Sequence, residues 1–318
     1  MDEWRAELNV LVFLLVLTAI VTYINPFFIT PANLRINIQQ ASIYAVLAIG
    51  ETFVLLVGGI DLSAGAQITA ANVLIAYLVS TMHLPFMVSL VLIYTLAIAV
   101  GLGQGIFSVT FSPPFPFVTP SFIVTLAVNY ILSGAILVMT LGFPIYINSP
   151  IYSSLGTMYG FLGLPNPVWI LLAVLAFSIF LLTQTKAGRH IFAIGGSAEV
   201  ARLSGVNVTA LRLFCFAFAA AMYATVGLEF GSIVSEGTVT IGPTYLIPAI
   251  AAPFLGGVSL AGGEGSVIGA TLGAIVVYIV SDILITVGIS SYYNDVVVGL
   301  IFFAVVLFDF VRRKRALR

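Results

Sequence analysis

The sequence predicts an all-α polytopic membrane protein with about ten transmembrane helices, several broken by glycine or proline, and a short cytoplasmic helix. Three observations lead to this fold class. Of 318 residues, 61% are hydrophobic and 7% are charged, and the mean hydropathy is +1.18, whereas soluble domains carry about 25% charged residues. The apolar residues fall into runs long enough to cross a bilayer. Nine of the eleven Lys and Arg residues lie in two short segments.

Ten apolar runs can each form a span, since a helix needs about 20 mostly apolar residues to cross a bilayer. Net acidic residues precede the first run and no small-residue cleavage site follows it, so we expect a retained span rather than a removed signal. We expect a single transmembrane domain over residues 1–318. The runs lie near residues 8–24, 41–60, 64–80, 86–108, 121–141, 167–184, 211–230, 244–257, 265–288 and 291–311.

The positive charges predict the orientation of the spans. Segment 185–212 holds four of them and the tail 312–318 holds five, and short loops rich in Lys and Arg face the cytoplasm. Four spans separate the two segments and six precede the first, so both termini are expected to be cytoplasmic. The loop 142–166 carries no charge and is expected outside. Arg35, in the first outward loop, is the exception.

Two glycine-rich segments interrupt the apolar runs. In Gly58–Ser63, paired glycines end one helix, and Asp61 or Ser63 can cap the amides of the next. The segment Gly256–Gly263 repeats part of this pattern. Freed backbone groups at membrane depth must be satisfied by protein or by a water-lined cavity. Each break is therefore either a turn with a cap or part of a translocation pathway.

Acidic side chains inside the runs raise the same two alternatives. Glu51 lies near the middle of run 41–60, and a charge at the bilayer centre costs about 2.5–3.5 kcal/mol on insertion scales. We expect a hydrogen bond to a neighbouring helix, with a pathway role as the alternative. Glu229 and Asp282 lie nearer span ends, and for them we favour a structural or interfacial role.

Uncharged polar and aromatic residues form a second candidate pathway set. Amide and hydroxyl groups beside aromatic rings suit a neutral, polyhydroxylated solute such as a sugar, because they replace water hydrogen bonds without unpaired charge. Interhelical hydrogen bonding is the alternative. The set consists of Gln104, Phe115, Phe117, Thr125 and Asn129.

The segment between the sixth and seventh runs predicts a short helix. Ser197 is a good N-cap, Glu199 complements the helix dipole, and Gly205 can supply a left-handed stop. A helix of about two turns is unstable alone in water, so the apolar edge made by Val200 and Leu203 is expected to dock. It docks either onto the chain's own helix ends or onto a cytoplasmic partner.

Several kinds of chemistry are missing from the sequence. It contains no phosphate-binding Gly-x-x-x-x-Gly-Lys-[Ser/Thr] loop, no His-Glu-x-x-His and no Gly-x-Ser-x-Gly. The single Cys215 excludes an internal disulfide. No basic patch for nucleic acid occurs. We therefore expect neither catalysis nor a cofactor or metal in this chain.

Glycines at four-residue spacing (Gly101 and Gly105; Gly265, Gly269 and Gly273) predict close helix packing, within the chain or with a second transmembrane subunit.

These motifs together resemble the membrane permease subunit of ribose-type ABC importers. Gly58–Ser63 is similar to the family's most recognisable signature, and Pro120–Leu126 resembles its Pro-Phe-Ile-Val-Thr-Leu stretch with an inserted serine. Two departures are Gln104, where the family pattern has asparagine, and the unmatched loop 142–166. A further likeness to the cytoplasmic coupling segment is carried by Gly188, Arg189, Ala193, Gly195, Gly196, Arg202, Leu203 and Gly205.

The resemblance implies a complex in the cytoplasmic membrane of a prokaryote. It would contain two permease subunits, ATPase subunits that bind ATP and Mg²⁺ and dock on residues 186–206, and an external solute-binding protein. The expected substrate is a neutral sugar such as a pentose or hexose. The alternatives are a related permease for branched-chain amino acids or nucleosides, an autonomous secondary transporter coupled to ions through Glu51 and Asp61, and, more distantly, an intramembrane enzyme.

Overall fold

A computed structural model describes residues 3–110 and 120–286, with residues 288, 290, 293, 296–300, 303 and 307 beyond them. The first half is helical, and α3 continues into a π-helical turn over Tyr77–Thr81. A 3₁₀ turn, Pro26–Ile29, joins the first two helices. The helices are α1 (Glu3–Ile24), α2 (Pro31–Leu56), α3 (Ala64–Ala76), α4 (Phe86–Thr110) and α5 (Pro120–Thr140).

The second half adds two short strands and seven further helices within the described residues. Its elements are β1 (Ile145–Tyr146), α6 (Pro150–Thr157), a 3₁₀ turn (Phe161–Gly163), α7 (Asn166–Gln184), α8 (Lys186–Gly196), α9 (Ala198–Leu203), α10 (Val208–Val234), β2 (Glu236–Gly237), α11 (Ile241–Leu255) and α12 (Val267–Thr286).

The predicted all-α polytopic fold is confirmed. Among the described residues, eight helices are long and apolar enough to cross a membrane. The run 244–257 forms α11, whose 15 residues span about 22 Å, less than the hydrocarbon core of about 30 Å. The tenth run, 291–311, lies largely outside the described residues.

The helices differ strongly in burial although all are apolar. In α2, in α3 with its π-helical turn, and in α10, 78%, 67% and 61% of the most apolar window is buried, against 6% in α1 and 11% in α5. The bundle is therefore built around α2, α3 and α10. The other two present most of their surface to the surroundings, which in a membrane are lipid or another subunit.

Glycines on facing helices allow close approach within the chain. A Cβ on Gly101 of α4 would overlap the backbone of Phe216 in α10, and one on Gly269 of α12 would overlap Gly256 after α11. The prediction of close packing at these glycines is confirmed, and the contacts are between helices of this chain. Gly265 is not part of a helix; its φ of +139° places it in the turn before α12.

The loop 142–166 is held to the same end of the bundle as the connection between α10 and α11. β1 pairs antiparallel with β2, with Ile145 opposite Gly237. Arg35 lies over the ring of Tyr159 at 5.4 Å, which gives this isolated positive charge a favourable contact. Burial raises the pKa of Tyr152 in α6 above its ordinary value, so this hydroxyl remains neutral and packs as part of the core.

The segment 185–212 lies at the opposite end of α7 and contains two helices rather than one. The prediction of a single helix starting after Ser197 missed α8, whose N-cap is Thr185: its side chain accepts a hydrogen bond from the Gly188 N–H at 3.1 Å. The sequence feature that predicts the start of α8 is Thr185, a residue type favoured at the N-cap, directly before the helix. The predicted caps of α9 are confirmed, since Ser197 accepts from the Val200 N–H and Gly205 has a φ of +83°.

Three glycine segments meet at this end. The Gly263 N–H donates to the carbonyl oxygen of Leu56 at 3.0 Å, which joins the Gly256–Gly263 segment to the end of α2. A Cβ on Gly195 of α8 would overlap both Gly263 and the Leu56 carbonyl. The two predicted breaks are therefore in contact with each other and with α8 through their backbones.

This contact predicts different effects for two neighbouring glycines. We expect Gly195→Ala to lower the free energy of unfolding by about 1–3 kcal/mol, because the new methyl group has to displace backbone. Gly196→Ala is the matched control, since no atom lies within 4 Å of a Cβ built there. Thermal unfolding of the purified chain measures both. Equal midpoints for the two variants would contradict the proposed packing.

Candidate translocation site and coupling surface

In the break between α2 and α3, four consecutive backbone N–H groups have no partner within a helix, and each of them donates to a side-chain oxygen. The bonds are Ile60 N–H to Ser121 Oγ at 3.2 Å, Asp61 N–H to Glu51 Oε1 at 3.1 Å, Leu62 N–H to Thr125 Oγ1 at 3.0 Å and Ser63 N–H to Asp61 Oδ1 at 2.8 Å. The acceptors come from α2, α5 and the break itself. The break thus satisfies its amide groups with protein rather than with water.

Glu51 connects this break to the centre of the bundle. It is fully buried and accepts a hydrogen bond from the Tyr223 hydroxyl of α10 as well as from the Asp61 N–H. The expectation of a hydrogen bond to a neighbouring helix is confirmed. Burial of an acidic side chain is tolerated here because both carboxyl oxygens have donors.

Asp61 and Gln104 belong to one polar cluster. The Ser63 hydroxyl donates to Asp61, and Gln104 Nε2 donates to the Ser63 hydroxyl. Gln67 Nε2 also donates to the Ser63 hydroxyl, at 2.8 Å. The prediction that Asp61 or Ser63 caps the amides of α3 is wrong. Asp61 accepts from the Ser63 N–H, which still belongs to the break, and the Ser63 side chain makes no capping bond to α3, because its hydroxyl is occupied within the cluster.

The structure separates the predicted pathway residues into two groups. Glu51, Asp61, Gln104 and Thr125 are each at most 1% exposed, and they lie around the break. Asn129 lies one turn further along α5 from Thr125 and is partly exposed. Phe115 and Phe117 lie outside the described residues.

Asn129 lines a cavity of about 280 Å³ between α3, α5 and α11. Thr69 of α3 and Ser133 of α5 add hydroxyl groups, and Gly65 and Gly242 bring α3 and α11 close together. None of the described residues that line the cavity is charged. The sequence analysis missed Ser133, which its four-residue spacing from Asn129 places on the same helix face.

The segment 185–212 presents a mixed surface. Ile191 and Ile194 of α8 are buried against the bundle, whereas Val200 and Leu203 of α9 are 61% and 83% exposed. The apolar edge is therefore not covered by the chain's own described helices. Most of the predicted coupling residues are also exposed. Among them, Gly188 is buried and Gly195 is partly buried. The exposed ones are Arg189, Ala193, Gly196, Ser197, Glu199, Arg202, Leu203 and Gly205.

Glu229 of α10 differs from Glu51 although both are buried. Its side chain is 2% exposed, and within the described part of the chain neither carboxyl oxygen has a hydrogen-bond partner. It is therefore buried among the helices of this chain without a hydrogen bond to its carboxyl group in the described part of the structure.

Comparison with known proteins follows this geometry. The family described as "Branched-chain amino acid transport system / permease component" matches residues 34–306. The chain belongs to this family of permeases. The resemblance to permease subunits of ribose-type ABC importers is confirmed by curated relatives that match it over nearly their whole length.

Three relatives illustrate the similarity. The ribose import permease protein of Haemophilus influenzae is 37% identical over 300 residues, which cover 93% of this chain and 90% of the relative. That of Escherichia coli K12 is 34% identical over 309 residues, covering 96% and 94%. The galactose/methyl galactoside import permease protein of Salmonella typhimurium is 31% identical over 325 residues, covering 96% and 94%.

The two buried glutamates predict opposite responses to the same substitution. Glu51→Leu leaves the Asp61 N–H and the Tyr223 hydroxyl without an acceptor, and each unpaired buried group costs about 1–3 kcal/mol. Glu229→Leu removes no hydrogen bond of the carboxyl group, so we expect stability to be unchanged or raised. Thermal unfolding of both variants measures the difference. A larger loss for Glu229→Leu than for Glu51→Leu would contradict the assigned roles.

Proposed function

We propose that this chain is the membrane-spanning permease subunit of an ATP-driven importer for a neutral sugar, and that a separate ATPase supplies the energy. The observation that carries the proposal is family membership over residues 34–306 together with full-length relatives named as ribose and galactose import permeases. The proposed complex contains a second permease subunit, ATPase subunits with ATP and Mg²⁺, and an external solute-binding protein. The chain itself is non-catalytic.

A neutral substrate is supported by the cavity that Asn129 lines. Amide and hydroxyl groups can exchange hydrogen bonds with sugar hydroxyls. An amino acid carries an ammonium and a carboxylate, and burying either without a partner is costly. The described lining residues offer no opposite charge. These features favour a sugar over the branched-chain amino acids in the family's description.

The exposed surface of α8 and α9 is the proposed docking site for the ATPase. Leu203 and Val200 supply an apolar edge, and Glu199 and Arg202 flank it with charge. A small patch of this composition resembles the centre and rim of a protein interface. We propose that segment 185–212 faces the cytoplasm and that both termini and the tail 312–318 do so too, in the cytoplasmic membrane of a prokaryote.

ATP-driven conformational change can reach the pathway through the glycine contacts. α8 touches the Gly256–Gly263 segment and the end of α2, and α2 leads directly into the Gly58–Ser63 break. Displacement of α8 therefore acts on the break without an intervening side chain. In this proposal Glu51 and Asp61 position the backbone of the break rather than couple an ion.

The docking site is tested by co-purification. We expect Arg202→Glu combined with Gly196→Trp to release the ATPase from the membrane subunit, because the change reverses a charge and adds bulk at an exposed surface. Gly196→Ala in the same assay is the control and should retain the ATPase. Membrane insertion of each variant is checked by fractionation. Normal ATPase retention and normal transport by the double variant would rule out this interface.

The pathway is tested by transport in proteoliposomes that contain the complete complex. Asn129→Leu removes an amide from the cavity, and we expect the uptake rate to fall about tenfold, as for the loss of one or two hydrogen bonds to a solute. Tyr130→Leu changes the next residue of α5, which is exposed and does not line the cavity; it should transport normally. Equal rates for the two variants would exclude Asn129 from the pathway.

The secondary-transporter alternative makes a different prediction for Glu51. Glu51→Gln keeps a carbonyl acceptor for the Asp61 N–H, so ATP-driven transport should persist in the complete complex. If Glu51 coupled an ion, the same substitution would abolish transport. Solute uptake by the isolated chain without ATPase would also overturn the proposed function.

A further inference from the structure

A second cavity, of about 270 Å³, lies between α1, α2, α7 and α12. Its wall is mainly apolar and is formed largely by Phe28, Leu34, Ile38, Leu171, Ile275 and Ile279. Apolar cavities of this kind exclude water. α1, which closes one side, is the least buried of the long helices. α1 is thus the most exposed of the helices that line the cavity.

The polar groups of the wall are not equivalent. The Thr18 hydroxyl donates to the Leu14 carbonyl at 2.8 Å and the Ser42 hydroxyl to the Ile38 carbonyl at 2.7 Å, so both are satisfied within their own helices. Asn37 is 94% buried. Its Oδ1 accepts from the Tyr278 hydroxyl at 3.0 Å, but its Nδ2 has no hydrogen-bond partner among the described residues. The Asp282 carboxyl beside this amide can take one of its two N–H groups, so the other remains as a donor for the cavity.

Asp282 adds an acceptor at the same end of the cavity. It lies seven residues after Ile275 and three residues after Ile279, which places all three on one face of α12. Its carboxyl group lies beside the Asn37 amide, and its Oδ2 has no hydrogen-bond partner in the described part of the chain. The Asn37 amide, which lines the apolar cavity, and the Asp282 carboxyl thus lie next to each other.

Both polar groups lie close to helix ends. Asn37 is six residues into α2, and Asp282 is four residues before the end of α12, so each is within about 9 Å of its end. The connection before α2 reaches the same level, since Asn25 Nδ2 donates to the Thr286 carbonyl at 3.5 Å. This depth corresponds to the boundary between hydrocarbon and headgroups.

We propose that this cavity binds a phospholipid with a primary ammonium headgroup, of the phosphatidylethanolamine type. One acyl chain fills the apolar part, an ester carbonyl accepts from Asn37 Nδ2, and Asp282 accepts from the ammonium group. The apolar wall selects hydrocarbon, and the carboxylate selects a positively charged headgroup that can donate hydrogen bonds. An anionic headgroup is disfavoured by the same carboxylate.

Native mass spectrometry of the delipidated, purified full chain tests the proposal. The chain is titrated with phosphatidylethanolamine, with phosphatidylcholine, whose ammonium lacks N–H groups, and with anionic phosphatidylglycerol. We expect phosphatidylethanolamine to bind about tenfold more tightly than the other two, as for one charge-assisted hydrogen bond. Equal binding of the three lipids to the wild-type chain overturns the proposal whatever the variants do.

Substitutions locate the site. Asp282→Asn should bring phosphatidylethanolamine to within about twofold of phosphatidylcholine, because it removes the contact that distinguishes the two headgroups. Asn37→Leu should weaken the binding of all three lipids by a similar factor, because each of them has an ester carbonyl. Ser42→Ala lines the same cavity but changes a hydroxyl already bonded to its own helix, so it should keep the tenfold preference. An unchanged preference in Asp282→Asn, or a lost preference in Ser42→Ala, contradicts the assigned site.

Discussion

Hydrocarbon offers no hydrogen bonds to a peptide backbone, and the interior of this protein is organised by that constraint. Where α2 ends and α3 begins, four successive N–H groups lack helical partners. Glu51, Ser121, Thr125 and Asp61 supply one acceptor each. Because these acceptors come from different helices, the relative placement of α2, α5 and the break is determined together. Tyr223 extends the same network to α10.

The break is also connected to α8 through backbone contacts. Its beginning touches the Gly256–Gly263 segment, which in turn touches α8. These contacts are made by backbone atoms, those of the glycines and the carbonyl of Leu56, and no side chain lies between them to absorb a displacement. Motion of α8 must therefore be passed on or the contact must open. A subunit without its own nucleotide-binding loop needs such a connection if it is driven by a partner.

The acidic residues of the spans have separate environments. Glu51 is satisfied by two donors, Glu229 has none among the described residues, and Asp282 lies near a helix end. Only the surroundings distinguish them, because all three are acidic residues in apolar runs. The cavity along α5 is lined by neutral groups. The proposed neutral solute and the proposed structural role of Glu51 and Asp61 rest on the same observation, that these charged residues do not line the cavity.

Run length, positive charge and helix caps are local properties, so the sequence alone determined the number and type of most spans, the turn at Gly58–Ser63 and the caps of α9. Burial was decided only by tertiary structure. α1 and α2 are both apolar, and lipid is as apolar as a protein core, so hydrophobicity does not separate a central helix from a peripheral one. The partners of Glu51, the cavity beside Ser133 and the contact of Gly195 with Leu56 depend on residues far apart in sequence. Only the packed bundle brings them together.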